Sequence, residues 1–533
     1  MIAESAIDSS EWRWVIISSA LLLILISVPF MWAYGVGAPQ AEFMGVLVNP
    51  IDGASYQAKM AQGYQGHWLA QLPYTPEPHQ GAFLFTVYVA LGHLARLLNV
   101  SPILVFHAAR LVGSVLMVVA IYRFVADWTD DAAQRRISWG LAMIGAGFGW
   151  VALLFRHVTP DMLILPEAFP LQAAYTNPHF PWAIAIALTI AHVLARKALM
   201  ESDLPDLNVE TVAMAFGTVL LVSMSPFVLV PIGIGYAALL IWITWQRRAL
   251  PLRALSWGGV VLIFGLPPAA YTMWAISAAN PAFRAWMQQN VTPSPPVWDY
   301  LIAFGPLLVL AAVGIWGSRR KLQGGDVFLL AWLVSSAVML YVPIGLQRRF
   351  AMGLIAPLAV YAGRGLWRVL LSGMRGGKGL VAVVLAFSTF IPTTVLAIVT
   401  PMIGALQLME EGGGSYFLYT NEVEALEWLE QHAAPQGALV LASPEISLFV
   451  PLHGLRVVYG HPFETLNAEV RREAVLDFFS GRDCSVVTQE GVDYVLVGPR
   501  ERALAAGGSM CPLSEPVFTS ADGEVAVYAV SAD

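Results

Sequence analysis

The stretch WRWVIISSALLLILISVPFMWAY, residues 12–34, decides the class of this protein. It carries a single charge, Arg13, and it is long enough to cross the hydrocarbon core of a bilayer. No basic region followed by a small-residue cleavage site accompanies it, so we interpret it as a signal anchor that stays in the chain. The sequence therefore predicts a first membrane span at about residues 13–35.

The composition extends this interpretation to the whole chain. Of its 533 residues 57% are hydrophobic and 12% are charged, which is about half the charged fraction of a soluble domain. Eighteen Trp residues are typical of aromatic anchors at membrane interfaces. A formal net charge of −7 and the lack of a basic tract argue against nucleic acid as a partner. We therefore expect an α-helical polytopic membrane protein.

Further apolar runs continue the pattern. The block 209–246 is too long for one helix and is interrupted by Ser223, Ser225 and Pro226, which predicts two spans that meet at a tight turn. The other predicted spans lie at about 103–126, 136–155, 181–198, 255–277, 298–317, 326–345, 350–370 and 379–403. No internal repeat relates these spans to one another.

The segment 82–98 is ambiguous because it is short and carries His93 and Arg96. It either crosses the membrane, which makes twelve spans, or lies along the surface, which makes eleven. With eleven spans the basic residues fall mainly into alternate connections, namely Arg123, Arg135, Arg136, Arg196, Lys197, Arg247, Arg248, Arg253, Arg319, Arg320, Lys321, Arg375 and Lys378. The positive-inside rule then predicts a cytoplasmic N-terminus and an extracytoplasmic C-terminus. We expect the protein to lie in the plasma (inner) membrane.

Two predicted external loops and a C-terminal segment hold most of the polar chemistry. The loops, 36–102 and 156–180, are rich in Pro, His and carboxylates. After residue 411 helical patterns alternate with short β-rich runs at 438–443, 456–460, 493–498 and 524–530, which predicts a soluble extracytoplasmic α/β domain over 412–533. Cys484 and Cys511 lie in this domain, where a disulfide and two buried thiols are equally ordinary.

This arrangement resembles the GT-C class of membrane glycosyltransferases, and in particular the protein O-mannosyltransferases and lipid A aminoarabinose transferases. The residues that carry the resemblance are Asn49-Pro50-Ile51-Asp52-Gly53-Ala54-Ser55-Tyr56, Pro76-Glu77-Pro78-His79, and Gln347-Arg348-Arg349-Phe350 before LIAPLAVYAG. The family places its catalytic carboxylate in the first external loop. The resemblance implies a GT-C-like transmembrane domain over 1–411 and inversion at the anomeric carbon of the transferred sugar.

The chemistry can also be built from the residues. A sugar on a polyprenyl phosphate or diphosphate already has a good leaving group, so the enzyme needs a base for the acceptor hydroxyl or amine and a cation for the phosphate. Asp52 is the candidate base, and its alternative role is to cap a helix that starts at Gly53. Arg348 and Arg349 are the candidates for lipid-phosphate binding, and their alternative role is to reach lipid headgroups without specificity.

Five more residues are candidates for an acceptor or metal site, although their spacing matches no recognised metal motif: Asp161, His79, Glu77, Glu167 and His179. A divalent metal, Mg²⁺ or Mn²⁺, is compatible with the family. The segment Gly460–Thr465 is interpreted as a turn before a helix, with Thr465 or Asn467 as the cap, and not as an active site.

Three functions follow from these residues. The first is a glycosyltransferase whose partners are a polyprenyl-phosphate-linked sugar donor, the lipid bilayer and a saccharide, lipid or protein acceptor. The second is a transporter or flippase of a lipid-linked saccharide. The third is a non-catalytic membrane assembly protein that uses its outer domain to bind a partner.

Overall fold

The computed structural model describes residues 7–37, 41–155, 165, 167–200, 203–373, 377–410, 414–434, 437–505 and 507–530. Helices dominate this part of the chain. Their bounds are α1 (Ser9–Gly37), α2 (Pro50–Gln65) and α3 (Thr86–Leu98), followed by Pro102–Ala126, Ala132–Ile144, Gly149–Leu154, Pro170–Tyr175, His179–Leu199, Val209–Met224, Leu229–Arg247, Leu252–Trp274, Pro281–Gln289, Val297–Ser318, Gly324–Met339, Ile355–Gly373, Gly377–Glu410, Thr420–His432, Pro444–Ser447, Ala468–Phe479, Val486–Glu490 and Pro499–Leu504.

The lengths of these helices suit a multi-pass membrane protein. Within the described residues, eight helices are long and apolar enough to cross a bilayer: Ser9–Gly37, Pro102–Ala126, Ala132–Leu154, His179–Leu199, Pro226–Arg247, Leu252–Ala279, Val297–Ser318 and Val384–Met409. Three apolar helices are shorter, namely Thr86–Leu98, Val209–Met224 and Gly324–Met339. The predicted polytopic helical architecture is confirmed.

The contacts within the chain form two units. The first unit comprises residues 1–27, 108–270 and 292–400. The predicted break in the block 209–246 is confirmed there, because one helix ends at Met224 and the next begins at Leu229. The predicted span 136–155 lies in the apolar stretch Ala132–Leu154, whose helix is interrupted between Ile144 and Gly149. At that break the backbone N–H groups of Gly147 and Phe148 donate to carbonyl groups of Val297–Ser318 at 2.7 and 2.9 Å.

The second unit comprises residues 28–107, 271–291 and 401–533. Its main sheet has the strand order β4-β3-β5-β7-β6, in which β3 is parallel to β4 and β5, while β7 is antiparallel to β5 and β6. Strands β1 and β2 form a separate antiparallel pair. The strand bounds are β1 (Ala41–Phe43), β2 (Phe417–Tyr419), β3 (Leu439–Leu441), β4 (Arg456–Val457), β5 (Tyr494–Val497), β6 (Pro516–Thr519) and β7 (Ala526–Ala529).

The predicted α/β character of the C-terminal segment is confirmed, and one connection was not predicted. Strand β1, from the first loop, pairs with β2 at the start of the C-terminal segment. A buried apolar cluster then joins Ala54 and Ala58 of α2 to Leu426, Val440 and other side chains of the C-terminal segment. The second unit combines the first loop with the C-terminal segment. The domain boundary between 1–411 and 412–533 stays a prediction.

Helices α2 and α3 pack closely because both present glycine at the contact. A Cβ atom on Gly63 would lie 2.1 Å from the carbonyl oxygen of Val89, and one on Gly92 would lie 2.0 Å from that of Met60. Helix α3 has 13 residues, so it rises about 20 Å at roughly 1.5 Å per residue, against a hydrocarbon core of about 30 Å. This length favours the surface interpretation of 82–98.

Cys484 and Cys511 form a disulfide with a Cα–Cα distance of 5.7 Å. This observation decides between the two alternatives that the sequence left open. The bridge ties the turn after the helix Ala468–Phe479 to the segment that leads to β6.

Candidate active site

Asp52 lies in the first turn of α2, and its side chain is 40% exposed. The helix begins at Pro50, whose fixed φ suits the first helical position. Asn49 precedes it in a left-handed conformation, with φ of 54°, and donates a side-chain hydrogen bond from Nδ2 to Oδ2 of Asp52. Since the helix starts before Asp52, this carboxylate is not its N-cap. It presents a negative charge at the positive end of the helix dipole.

His461, which belongs to the C-terminal segment, lies beside Asp52. Its side chain is 2% exposed, and its Nε2 lies 3.6 Å from Oδ1 of Asp52. The other ring nitrogen, Nδ1, accepts backbone hydrogen bonds from Phe463 and Glu464, both at 3.1 Å. A histidine nitrogen that accepts hydrogen bonds carries no proton. The proton of neutral His461 is therefore on Nε2, which faces Asp52.

The backbone around His461 forms the predicted turn. Thr465 Oγ1 accepts hydrogen bonds from the backbone N–H groups of Gly460 and His461, at 3.3 and 3.2 Å. The following helix begins at Ala468, after Asn467 at the N-cap position. This turn holds the imidazole in place from its own backbone. Within the described residues, Nε2 of His461 is buried and has no hydrogen bond shorter than 3.5 Å.

Lys59, two turns beyond Asp52 on the same helix, forms a buried ion pair with Glu464 of the C-terminal segment. Lys59 Nζ donates to Oε1 of Glu464 at 2.5 Å and to Ser55 Oγ at 2.7 Å, while Ser55 in turn donates to Glu464. The Lys59 side chain is fully buried, and burial outweighs its partner and lowers the pKa of its ammonium. Burial by itself would raise the pKa of Glu464, but the charge of Lys59 and the hydrogen bonds hold that pKa below its ordinary value.

Glu77 and His79, two predicted acceptor or metal candidates, make contacts within the second unit. Arg471 binds both carboxylate oxygens of Glu77, at 2.7 and 2.9 Å. Burial opposes ionisation of Glu77, but these bonds lower its pKa. His79 accepts from the backbone of Leu72 at Nε2 and bonds the carbonyl of Glu77 through Nδ1. These contacts give both residues a structural role, and their role at a substrate stays a prediction.

Arg348 and Arg349 lie in a 3₁₀ turn, Gln347–Ala351, of the first unit. Both side chains are half-buried. The guanidinium of Arg349 lies over the ring of Phe227 at 5.5 Å, and the backbone N–H of Arg348 donates to the carbonyl of Thr292 at 3.2 Å. This turn precedes the helix Ile355–Gly373 and so replaces the start of the predicted span 350–370. Lipid-phosphate binding by these arginines stays a prediction.

The remaining predicted candidates belong to the second predicted loop. His179 is the first residue of the helix His179–Leu199, and its ring lies 3.9 Å from that of Phe180, tilted by 38°. Glu167 is buried in the first unit. Asp161 lies outside the described residues.

The described ranges contain no group of three or more His, Cys, Asp or Glu side chains arranged to hold a metal ion. At the candidate active site, Glu464 is engaged by Lys59 and Ser55, and Nδ1 of His461 is engaged by backbone N–H groups. Asp161, one of the predicted candidates, lies outside the described residues, and binding of Mg²⁺ or Mn²⁺ stays a prediction.

Sequence reasoning did not select His461 or Glu464 as site residues. It treated Gly460–Thr465 as a turn only. Pro462 after a histidine, with a glutamate two residues later, is a common surface turn, so the residue types by themselves carry little signal. The one usable clue is Lys59, since a lysine inside the pattern of buried residues on α2 requires a carboxylate partner from elsewhere.

Comparison with solved structures decides the fold. AglB, the oligosaccharyltransferase of Archaeoglobus fulgidus, solved with an inhibitory peptide and a dolichol-phosphate, aligns with a TM-score of 0.54 and 14% identity, over 92% of this chain and 70% of that chain. ArnT of Cupriavidus metallidurans, solved with undecaprenyl phosphate, aligns with a TM-score of 0.52 and 16% identity, over 98% of each chain. This chain has the GT-C fold.

The GT-C fold agrees with the resemblance found in the sequence. No family model and no curated protein sequence matches the chain. Since the alignment with ArnT covers 98% of both chains, the GT-C likeness includes the C-terminal segment as well as the membrane helices.

Proposed function

We propose that this protein is a membrane glycosyltransferase that moves a sugar from a polyprenyl-(di)phosphate-linked donor to an acceptor hydroxyl or amine. The proposal is carried by the shared fold, since two proteins with that fold were solved with a dolichol-phosphate and with undecaprenyl phosphate. A half-exposed carboxylate in the first loop, Asp52, supplies the base that such a transfer needs. The distribution of basic residues supports a reaction on the extracytoplasmic face.

In this mechanism the acceptor attacks the anomeric carbon from the side opposite the phosphate. Asp52 takes the acceptor proton as the new bond forms, and the electron pair of the broken C–O bond leaves with the phosphate, so the anomeric configuration inverts. The proton then passes from the half-exposed carboxylate to solvent. Arg348 and Arg349 are the proposed cations for the leaving phosphate, because a guanidinium can bind two phosphate oxygens at once. No step is assigned to a metal ion.

The test is a transfer assay with the purified full chain in lipid nanodiscs, a panel of undecaprenyl-phosphate sugars, and membrane extracts as acceptor. We expect Asp52→Asn to lower kcat by about 10²- to 10⁴-fold, the typical contribution of a general base, while donor binding is retained. Asp483→Asn, an exposed carboxylate of the same unit, is the matched control and keeps full turnover.

The same assay tests the arginines and separates the alternatives. Arg348→Lys or Arg349→Lys keeps the charge but loses the planar fork, and we expect the donor KM to rise about 10-fold, equivalent to about 1.4 kcal/mol. An unchanged donor KM in both variants rejects the phosphate role. Near-normal turnover of Asp52→Asn rejects the base. Donor translocation without bond exchange identifies a flippase, and the absence of both transfer and translocation identifies an assembly protein.

A further inference from the structure

We infer that His461 is a positioning residue for Asp52, and that the C-terminal segment thereby completes the active site. Nε2 of His461 lies 3.6 Å from one carboxylate oxygen of Asp52, and Nδ2 of Asn49 donates to the other. The inference rests on the proposed function, because it deepens the role of Asp52 as the base.

The first support is the direction of the ring. Nδ1 accepts two backbone N–H groups, so the N–H of the neutral imidazole is on Nε2. That N–H is buried, and within the described residues it has no hydrogen bond shorter than 3.5 Å, while Oδ1 of Asp52 lies 3.6 Å away. Catalytic hydrogen bonds are often long before substrate binds and shorten in the complex. The carboxylate of Asp52 is the acceptor that this N–H faces.

The same geometry decides what His461 does not do. Nε2 already carries a proton, and a proton on Nδ1 would break both backbone hydrogen bonds. His461 therefore does not take the acceptor proton from Asp52. It orients the carboxylate so that a lone pair occupied by neither Asn49 nor His461 points to the acceptor.

The second support is how firmly the turn is attached to α2. Glu464, which donates its backbone N–H to the His461 ring, forms the buried ion pair with Lys59 of the same helix that carries Asp52. Gln289 adds hydrogen bonds to the carbonyl groups of Phe463 and Thr465, at 2.9 and 2.7 Å. The turn is thus fixed to α2 two helical turns from Asp52, so the position of Nε2 is set before substrate binds.

Two substitutions of His461 distinguish a role in positioning Asp52 from a role in stabilising the turn, because each substitution keeps the function of one ring nitrogen. In His461→Asn the short amide oxygen can still accept the backbone N–H groups of Phe463 and Glu464, as in an Asx turn, but nothing reaches Asp52. In His461→Gln the longer amide can donate to Asp52, but the local acceptor is lost. We expect Tm to fall in the order wild type, Asn, Gln, and kcat to fall in the order wild type, Gln, Asn.

We expect His461→Asn to lower kcat about 10- to 100-fold, as loss of an orienting partner does, with the donor KM within about 3-fold of wild type. His432→Asn, at an exposed histidine outside the site, is the matched control with unchanged kcat. Two outcomes refute the positioning role and leave the proposed function standing. In the first, kcat follows Tm, so that kcat of His461→Gln is lower than that of His461→Asn. In the second, His461→Asn has wild-type kcat although Asp52→Asn is inactive. Normal turnover of Asp52→Asn refutes both the positioning role and the proposed function.

A measurement on the wild-type chain covers the case in which both variants fail to fold. The ¹⁵N chemical shifts of the His461 ring report which nitrogen is protonated. We expect a protonated Nε2 and an unprotonated Nδ1, and the reverse assignment overturns the inference.

Discussion

Glu464→Gln is the substitution that most directly tests the buried core of the second unit. It removes the negative charge that pairs with Lys59, whose side chain is fully buried, while the size of the side chain is kept. The ammonium of Lys59 then has Ser55 and a neutral amide as its partners. Because a buried charge without a counter-charge is costly, we expect this variant to be strongly destabilised.

The magnitude can be bounded from two sides. Removal of one partner of a buried ion pair typically costs about 3–5 kcal/mol. The cost cannot exceed that of deprotonating Lys59 at pH 7, which is about 4.6 kcal/mol for a lysine with an ordinary pKa of about 10.4. For a cooperative unit of roughly 150–250 residues, about 3–4.6 kcal/mol lowers Tm by about 6–18 °C.

The assay is thermal unfolding in detergent, followed by tryptophan fluorescence at one scan rate. Trp428 is a suitable reporter, since it packs against Phe518 at 5.6 Å within the second unit. Glu524→Gln is the matched control: its pair with Arg502 is exposed, so we expect a loss of no more than about 1 kcal/mol. The double variant Lys59→Met/Glu464→Leu removes both charges and is expected to regain most of the lost Tm.

The pH dependence has a definite sign. The pKa of Glu464 is held below its ordinary value of 4.5, so the ion pair stabilises the fold fully above about that pH and is lost as the pH falls through the lowered pKa. The Tm difference between wild type and Glu464→Gln should therefore narrow in acid. A Tm loss no larger than that of Glu524→Gln, or a difference that is constant from neutral pH into acid, would refute the reasoning.

Two further predictions concern covalent and packing constraints. Cys484→Ser/Cys511→Ser opens a bridge with a separation of 27 residues, and the loop entropy of the unfolded chain should lower the free energy of unfolding by about 3.5 kcal/mol. Tm should fall equally for this variant and for the wild type with a reductant. A fall in only one of the two contradicts the prediction. Gly92→Ala places a Cβ 2.0 Å from the Met60 carbonyl oxygen and should lower the free energy of unfolding by about 1–3 kcal/mol. The control Gly35→Ala, whose Cβ would have no atom within 4 Å, should leave Tm equal or higher. Equal Tm values for the two variants contradict the close packing of α2 and α3.

Local patterns in the sequence were sufficient to predict most of the helices and strands. The apolar runs predicted the membrane helices because spanning a bilayer requires a continuous hydrophobic stretch. Ser225 and Pro226 predicted the break between Val209–Met224 and Leu229–Arg247, because proline cannot continue the hydrogen-bond ladder of the helix before it. The break after Ile144 was missed, since it depends on backbone hydrogen bonds to a helix more than 150 residues away.

The candidate site was predictable in part. Asp52 could be selected because the family that the sequence resembles places its catalytic carboxylate in the first external loop. The roles of Glu77 and His79 could not, since the arginine that binds Glu77 lies 394 residues further along the chain. For the same reason the sequence did not indicate Glu464 as a site residue, since its partner Ser55 is separated from it by 409 residues.

The sequence by itself determined whether each segment prefers lipid or water, because hydropathy and charge are properties of the residues in that segment alone. It assigned the membrane helices and the α/β segment, and it made Asp52 a candidate base. Only the tertiary structure decided which polar side chains meet. A turn that is ordinary as a sequence, Gly460–Thr465, carries His461 to Asp52 because Glu464 and Lys59 neutralise each other in a buried site. That contact depends on the path of the whole chain, which no local pattern records.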